Sequence, residues 1–123
     1  MMIVTPKIIE TEKIVETDPN GLDQHQAGAK LDANKNRLGL VLHGFARALQ
    51  EVGKVGTYGA NKYTDNGWVE VPDGVDRYTD AMYRHLLTEA QGERLDKDTK
   101  ILHSAHVAWN ALARLDLMLR EAD

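Results

Sequence analysis

The chain has 123 residues, 42% of them hydrophobic and 28% charged, with a net charge of -4 and an isoelectric point near 5.7. That length suits one domain around a single core, and the mild acidity argues against a protein that binds nucleic acid directly through a basic surface. There is no cysteine, which excludes disulfides, thiolate zinc sites and cysteine nucleophiles.

A phosphate-handling pocket stays open, because a local cluster of Lys and Arg fits on an acidic protein. No apolar run approaches the roughly 18 residues of a membrane span. No segment has the basic, apolar and small-residue layout of a signal peptide. The expectation is a cytoplasmic protein with no membrane partner. Without Cys, any metal is held by carboxylates, His, amide oxygens or water. That favours magnesium or manganese over structural zinc, although histidine also suits zinc.

Residues 1–24 read as an N-terminal arm, and 25–123 as the domain. The arm mixes β-branched residues with charges, as in Ile3-Val4-Thr5-Pro6 and Ile14-Val15, before the turn signal Asp18-Pro19-Asn20-Gly21. A short strand, a mobile arm and a subunit-exchange segment all fit. The polar stretch Gly28–Leu38 leads into a first helix expected over about 38–56, with Leu38, Leu42, Phe45, Leu49 and Val52 as its apolar stripe. Gly56 and Gly59 mark its expected end.

Residues 64–76 read as a loop. A second helix is expected over about 76–91, with Asp76 as N-cap and Gly92 as stop. After a polar connection at Asp96–Lys100, a third helix over about 100–121 carries Leu102, Ala105, Ala108, Trp109, Leu112, Leu115 and Leu119 on one broad face. The fold class is therefore all-α: a small bundle of three main helices plus a short N-terminal arm.

The third helix also holds His103, His106 and Asn110 at i, i+3, i+7. At about 100° per residue they fall within about 60° of one another, opposite Leu112. They form either a row of metal or phosphate ligands or a set of hydrogen-bonded side chains at a helix interface. On the second helix Tyr78, Met82, His85 and Glu89 share a stripe, where His85 is a packed core histidine or a ligand with Glu89 orienting it. Arg77 and Arg84 match phosphate oxygens or line an exposed face. Glu93, Asp96 and Asp98 offer oxygens to a hard cation or belong to a solvated helix end. The segment Glu51–Tyr63 lacks the P-loop order. Its glycines nevertheless expose backbone N–H groups suited to an anion, Lys54 and Lys62 add charge, and Tyr58, Tyr63 or Trp68 offers a ring for a base. The alternative there is a helix end with turn glycines and packed aromatics.

Together these segments resemble the dATP/dGTP diphosphohydrolases, small phage and bacterial proteins related to the MazG-like all-α nucleotide pyrophosphatases. The matching stretches are Gly28–Leu38, Thr57–Tyr63 with Asn66-Gly67-Trp68, Arg77-Tyr78, Arg84-His85-Leu86 with Gly92-Glu93-x-x-Asp96, and His103-x-x-His106-x-x-Trp109-Asn110-Ala111-Leu112. MazG-like enzymes carry Glu-Glu-x-x-Glu and Glu-x-x-Asp. This chain has the second as Glu93-x-x-Asp96 and lacks the first, since Glu51 is followed at i+3 by Lys54.

The resemblance implies attack by water on a purine deoxynucleoside triphosphate (dGTP or dATP), giving the monophosphate and pyrophosphate with Mg2+ or Mn2+. It implies Glu51, Glu93 and Asp96 as metal ligands and Glu51, His85, His103 and His106 as catalytic groups. Lys54, Lys62, Tyr63, Trp68, Arg84 and Asn110 are the implied substrate contacts. It also implies a homo-oligomer, and three main helices leave apolar surface to cover. Two rivals are a histidine-aspartate-type phosphohydrolase, for which the adjacent His-Asp pair is absent, and a non-enzymatic phage accessory or interaction protein.

Overall fold

A computed structural model of the chain describes residues 15–121. They fall into two units, one ending at Gly44 and the other beginning at Phe45. The expectation of an arm over residues 1–24 lies outside the described residues for 1–14.

In the first unit the turn signal is a turn organised by Asp18. One of its carboxylate oxygens accepts the Asn20 N–H at 2.7 Å, and the other accepts the Lys30 N–H at 2.9 Å. The Lys30 hydrogen bond in particular holds the carboxyl below its ordinary value. Gly21 (φ 77°) supplies the left-handed residue that the turn needs. The unit ends on α1 (Gly39–Leu42), a single turn with Leu38, Leu40, Val41 and Leu42 all exposed.

The second unit is built from α2 (Ala46–Lys62), α3 (Gly74–Ala90) and α4 (His103–Glu121), with a 3₁₀ turn at Gly67–Glu70 between α2 and α3. The described residues contain no strand, so the chain is an all-α bundle. The helix expected over 38–56 is thus α1 and α2, broken at 43–45. The glycines expected to end it lie inside α2, which runs on to Lys62. Each interior glycine costs about 1 kcal/mol against alanine, but packing offsets this. A Cβ at Gly56 would stand 3.5 Å from the Trp109 indole nitrogen, so the small residue lets α2 sit close to α4. The second helix starts two residues earlier than expected. Asp73, in the left-handed conformation, precedes it, and Asp76 lies in its first turn instead of capping it.

α3 lies along α4, and α2 packs on α4. The buried residues are few: Val55, Val75, Ala105, Ala113 and Leu117 with Thr79, His103, His106 and Asn110. A Cβ at Gly74 would fall 2.6 Å from Leu117 Cδ1, so this glycine sets how closely the start of α3 meets α4. The Thr79 hydroxyl donates to the Val75 carbonyl at 2.7 Å and accepts from Arg114 Nε at 2.8 Å.

The broad leucine face of α4 does not form the core. Leu112, Leu115 and Leu119 are 52%, 52% and 47% exposed, whereas the row His103, His106, Asn110, Ala113, Leu117 is buried. Small and polar side chains on that row let α3 and α4 approach, and hydrogen bonds satisfy the polar ones. Among the described residues no helix is long and apolar enough to cross a membrane.

Candidate functional site

The twelve residues between α3 and α4 place the chemistry. Gly92 (φ 105°) ends the turn after α3. Leu95 and Leu102 then pair in an antiparallel bridge, flanked by hydrogen bonds from Asp96 N–H to the Ile101 carbonyl (2.9 Å) and from His103 N–H to the Arg94 carbonyl (3.0 Å). The bridge folds Glu93 and Asp96 back against the first turn of α4, which presents His103 and His106, while α3 contributes His85. Inside the loop an Asp96 oxygen accepts the N–H groups of Asp98 (2.9 Å) and Thr99 (2.8 Å).

The resulting cluster is tightly connected. His85 Nδ1 lies 2.8 Å from His103 Nδ1. His103 Nε2 lies 2.8 Å from a Glu93 oxygen, and His103 is the least exposed of the three histidines. His106 Nε2 meets the Thr99 hydroxyl at 2.8 Å. The His85 and His106 rings stack, 4.4 Å between centroids and 4° from parallel. One ligand atom from each of His85, Asp96 and His103 lies within 4.8 Å of the others.

Electrostatics follows from this packing. Burial pushes the His85 imidazole below its ordinary value, and the neighbouring His106 and His103 push it further. Burial likewise lowers His106, against an opposing pull from Asp96. Burial alone would raise Asp96, but the Thr99 and Asp98 N–H groups more than offset it, so its carboxyl is lowered. The second Glu93 oxygen is buried without a hydrogen-bond partner. Its charged neighbour is Lys97, 3.8 Å away across an exposed ion pair. A buried carboxylate oxygen in that state beside imidazole and carboxylate donors fits a divalent cation.

The other sequence candidates lie in varied surroundings. Glu51, on α2, is not one of the three residues whose ligand atoms lie within 4.8 Å of one another. Its Oε2 is buried and 2.5 Å from Lys54 Nζ, a charge contact without hydrogen-bond geometry. Lys62, at the end of α2, is exposed, with its ammonium 5.3 Å from the Tyr63 ring centre. Tyr63 raises the Lys62 ammonium above its ordinary value, with smaller contributions from Tyr58 and Asp98. Arg84 is exposed one residue before His85, and Arg77 donates to the Pro72 carbonyl at 3.2 Å.

The Asn110 amide donates to the His106 carbonyl at 2.8 Å. Trp68 packs edge-on against Trp109, 6.1 Å between centroids, with the Arg120 guanidinium 5.6 Å above its ring. Both tryptophans line a groove of about 560 Å³ between α2 and α4, together with Leu49, Val52, Leu112 and Leu119. Glu89, expected beside His85, accepts instead from the Ser104 hydroxyl. Thr99 escaped sequence reasoning because a threonine in a polar connection carries no periodic signal. The only cue was Asp96-x-x-Thr99 just before a helix.

Fold and site define a helical protein with a histidine and carboxylate cluster at the join of two helices. The family model described as dATP/dGTP diphosphohydrolase, N-terminal, matches residues 25–123, and the chain belongs to that family. No curated protein and no solved structure matches it. The family is one of diphosphohydrolases, enzymes that act on nucleotides.

Proposed function

We propose that this protein hydrolyses purine deoxynucleoside triphosphates, dGTP or dATP, to the monophosphate and pyrophosphate in a metal-dependent reaction, and that it works as a homo-oligomer. The observation that carries this reading is the convergence of His85, Glu93, Asp96, His103 and His106 within a chain of this family.

In the reaction, a water oxygen bonds to the α-phosphorus while the bond to the α–β bridging oxygen breaks. Pyrophosphate leaves with that oxygen. A divalent ion, Mg2+ or Mn2+, supplies neutralisation of phosphate charge and a bound water of lowered pKa. The carboxylate oxygens of Glu93 and Asp96 are the groups that would hold it. His106, kept neutral by burial, is suited to take a proton from the attacking water, with the His85 ring stacked against it. Exposed Lys62 and Arg84 stand ready for the phosphate chain, and the Tyr63 ring and the Trp68 side of the groove are the candidates for the base. Lys54 is already paired with Glu51. Asn110 acts through His106, whose carbonyl it holds.

The test is incubation of the purified protein with each of the eight common dNTPs and NTPs, with Mg2+ or Mn2+, and chromatography of the products. Monophosphate plus pyrophosphate from dGTP or dATP, abolished by chelator, is the expected result. Release of inorganic triphosphate would indicate the histidine-aspartate chemistry instead. No turnover with either metal would leave an interaction protein.

A further inference from the structure

The two closest imidazoles of the cluster differ in what their nitrogens have left to offer. A carboxylate accepts hydrogen bonds and does not donate them. In the neutral form of the His103 ring, the form that can bind a metal, the contact from Nε2 to Glu93 therefore places the proton on Nε2. Its Nδ1 is left as a bare lone pair, aimed at His85 Nδ1 and accepting the proton there. Asp96 brings a carboxylate oxygen to the same place.

This is the donor pattern of a coordination site. Metal-bound histidines commonly give their second N–H to a carboxylate, which fixes the tautomer and turns the other nitrogen inward. Glu93 does this for His103. The stacked His106 ring holds the plane of His85 and is itself tied to Thr99, so it walls the site instead of joining it. Ligand atoms around a tetrahedral ion with bonds of about 2.0–2.1 Å stand about 3.3 Å apart. The 2.8 Å between the two Nδ1 atoms has to open by about 0.5 Å to match. The largest separation in the group, at most 4.8 Å, has to close by about 1.5 Å or less. Half-buried His85 and Asp96 have room for such shifts.

Two imidazole nitrogens and one carboxylate oxygen suit first-row transition ions, whereas Mg2+ prefers oxygen ligands and keeps its waters. We propose that His85, Asp96 and His103 form a resident site for a first-row transition-metal ion, zinc or cobalt ahead of manganese, that fills before any nucleotide binds. On binding, the proton on His85 Nδ1 moves through solvent to Nε2 of the same ring, so both Nδ1 atoms become ligands. Three protein ligands leave a fourth position for water or a phosphate oxygen. The inference rests on the same site as the proposed function, but the ion it concerns is distinct from the Mg2+ that accompanies a triphosphate.

The experiment uses the full chain, stripped with chelator and titrated with Co2+ in the absence of nucleotide. One Co2+ per chain is expected, with visible d–d bands of a nitrogen- and oxygen-ligated ion. Zn2+ displaces it stoichiometrically, and a large excess of Mg2+ does not. His85→Gln and Asp96→Asn, checked by circular dichroism, each weaken binding at least about tenfold, and Glu93→Gln weakens it about 10–100-fold through His103. If a variant fails to fold, Zn2+-induced shifts of the ring-nitrogen signals of His85 and His103 in the natural protein decide the matter. Absent bands, equal binding by folded variants, displacement by Mg2+ or unshifted ring signals would overturn the site. Hydrolysis with Mg2+ by a protein that binds no Co2+ overturns this inference and leaves the hydrolase reading. Retention of Co2+ with no nucleotide turnover does the reverse.

Discussion

The imidazoles of His85 and His106 lie face to face, 4.4 Å between ring centres, each lowered by burial. In the unfolded chain both rings regain the ordinary value of 6.5. As pH falls through that value the unfolded state takes up protons first, and stability is lost until the folded rings protonate as well. The expected outcome is a melting temperature that is flat at pH 7–8 and falls below about 6.5, measured in chelator. His106→Gln should flatten the profile. A melting temperature that rises on acidification would contradict the assignment.

Two helix glycines should respond with opposite signs. Nothing lies within 4 Å of a Cβ at Gly53, so Gly53→Ala should stabilise by about 0.5–1 kcal/mol. At Gly74 the added methyl meets buried Leu117, so Gly74→Ala should destabilise by about 1–3 kcal/mol. Urea unfolding of both variants checks the pair.

The two groups of carboxylates are separable by kinetics. Asp96→Asn should lower kcat/KM by at least about 100-fold, equivalent to about 2.7 kcal/mol of transition-state stabilisation. Glu51→Gln, with a carboxylate outside the converging group, should lower it by less than about tenfold. Equal losses would return Glu51 to the site.

The exposed leucines of α4 bear on assembly. Leu115→Glu and Leu119→Lys together should shift the protein to a smaller species in sedimentation velocity, because exposed apolar surface of this kind marks an interface. An unchanged sedimentation coefficient would contradict an interface on this face.

Much of this was legible in the sequence, for reasons that particular residues make plain. α3 and α4 announce themselves through long apolar periodicity, and the His and carboxylate pairs stand within them or beside them. The sequence places the end of α2 too early because Gly56 and Gly59 read as breakers, whereas in space Gly56 admits Trp109. Counting leucines makes the wider stripe of α4 its main apolar face, but close packing buries the histidine side, with Ala113 and Leu117 on it and Gly74 opposite Leu117. Spacing puts Lys54 one turn from Glu51, but it could not tell that Glu93 turns toward His103. That orientation depends on the Leu95–Leu102 bridge, which has no linear signature.

The same bridge has a kinetic meaning. Every group of the cluster lies between His85 and His106, and the loop that joins them is closed by a pair only a few residues apart. Contacts of such low contact order form quickly and incur little loop-closure entropy. The hairpin of α3 and α4 can therefore assemble its reactive centre before α2 docks. Mutations in α2 should then speed unfolding far more than they slow folding.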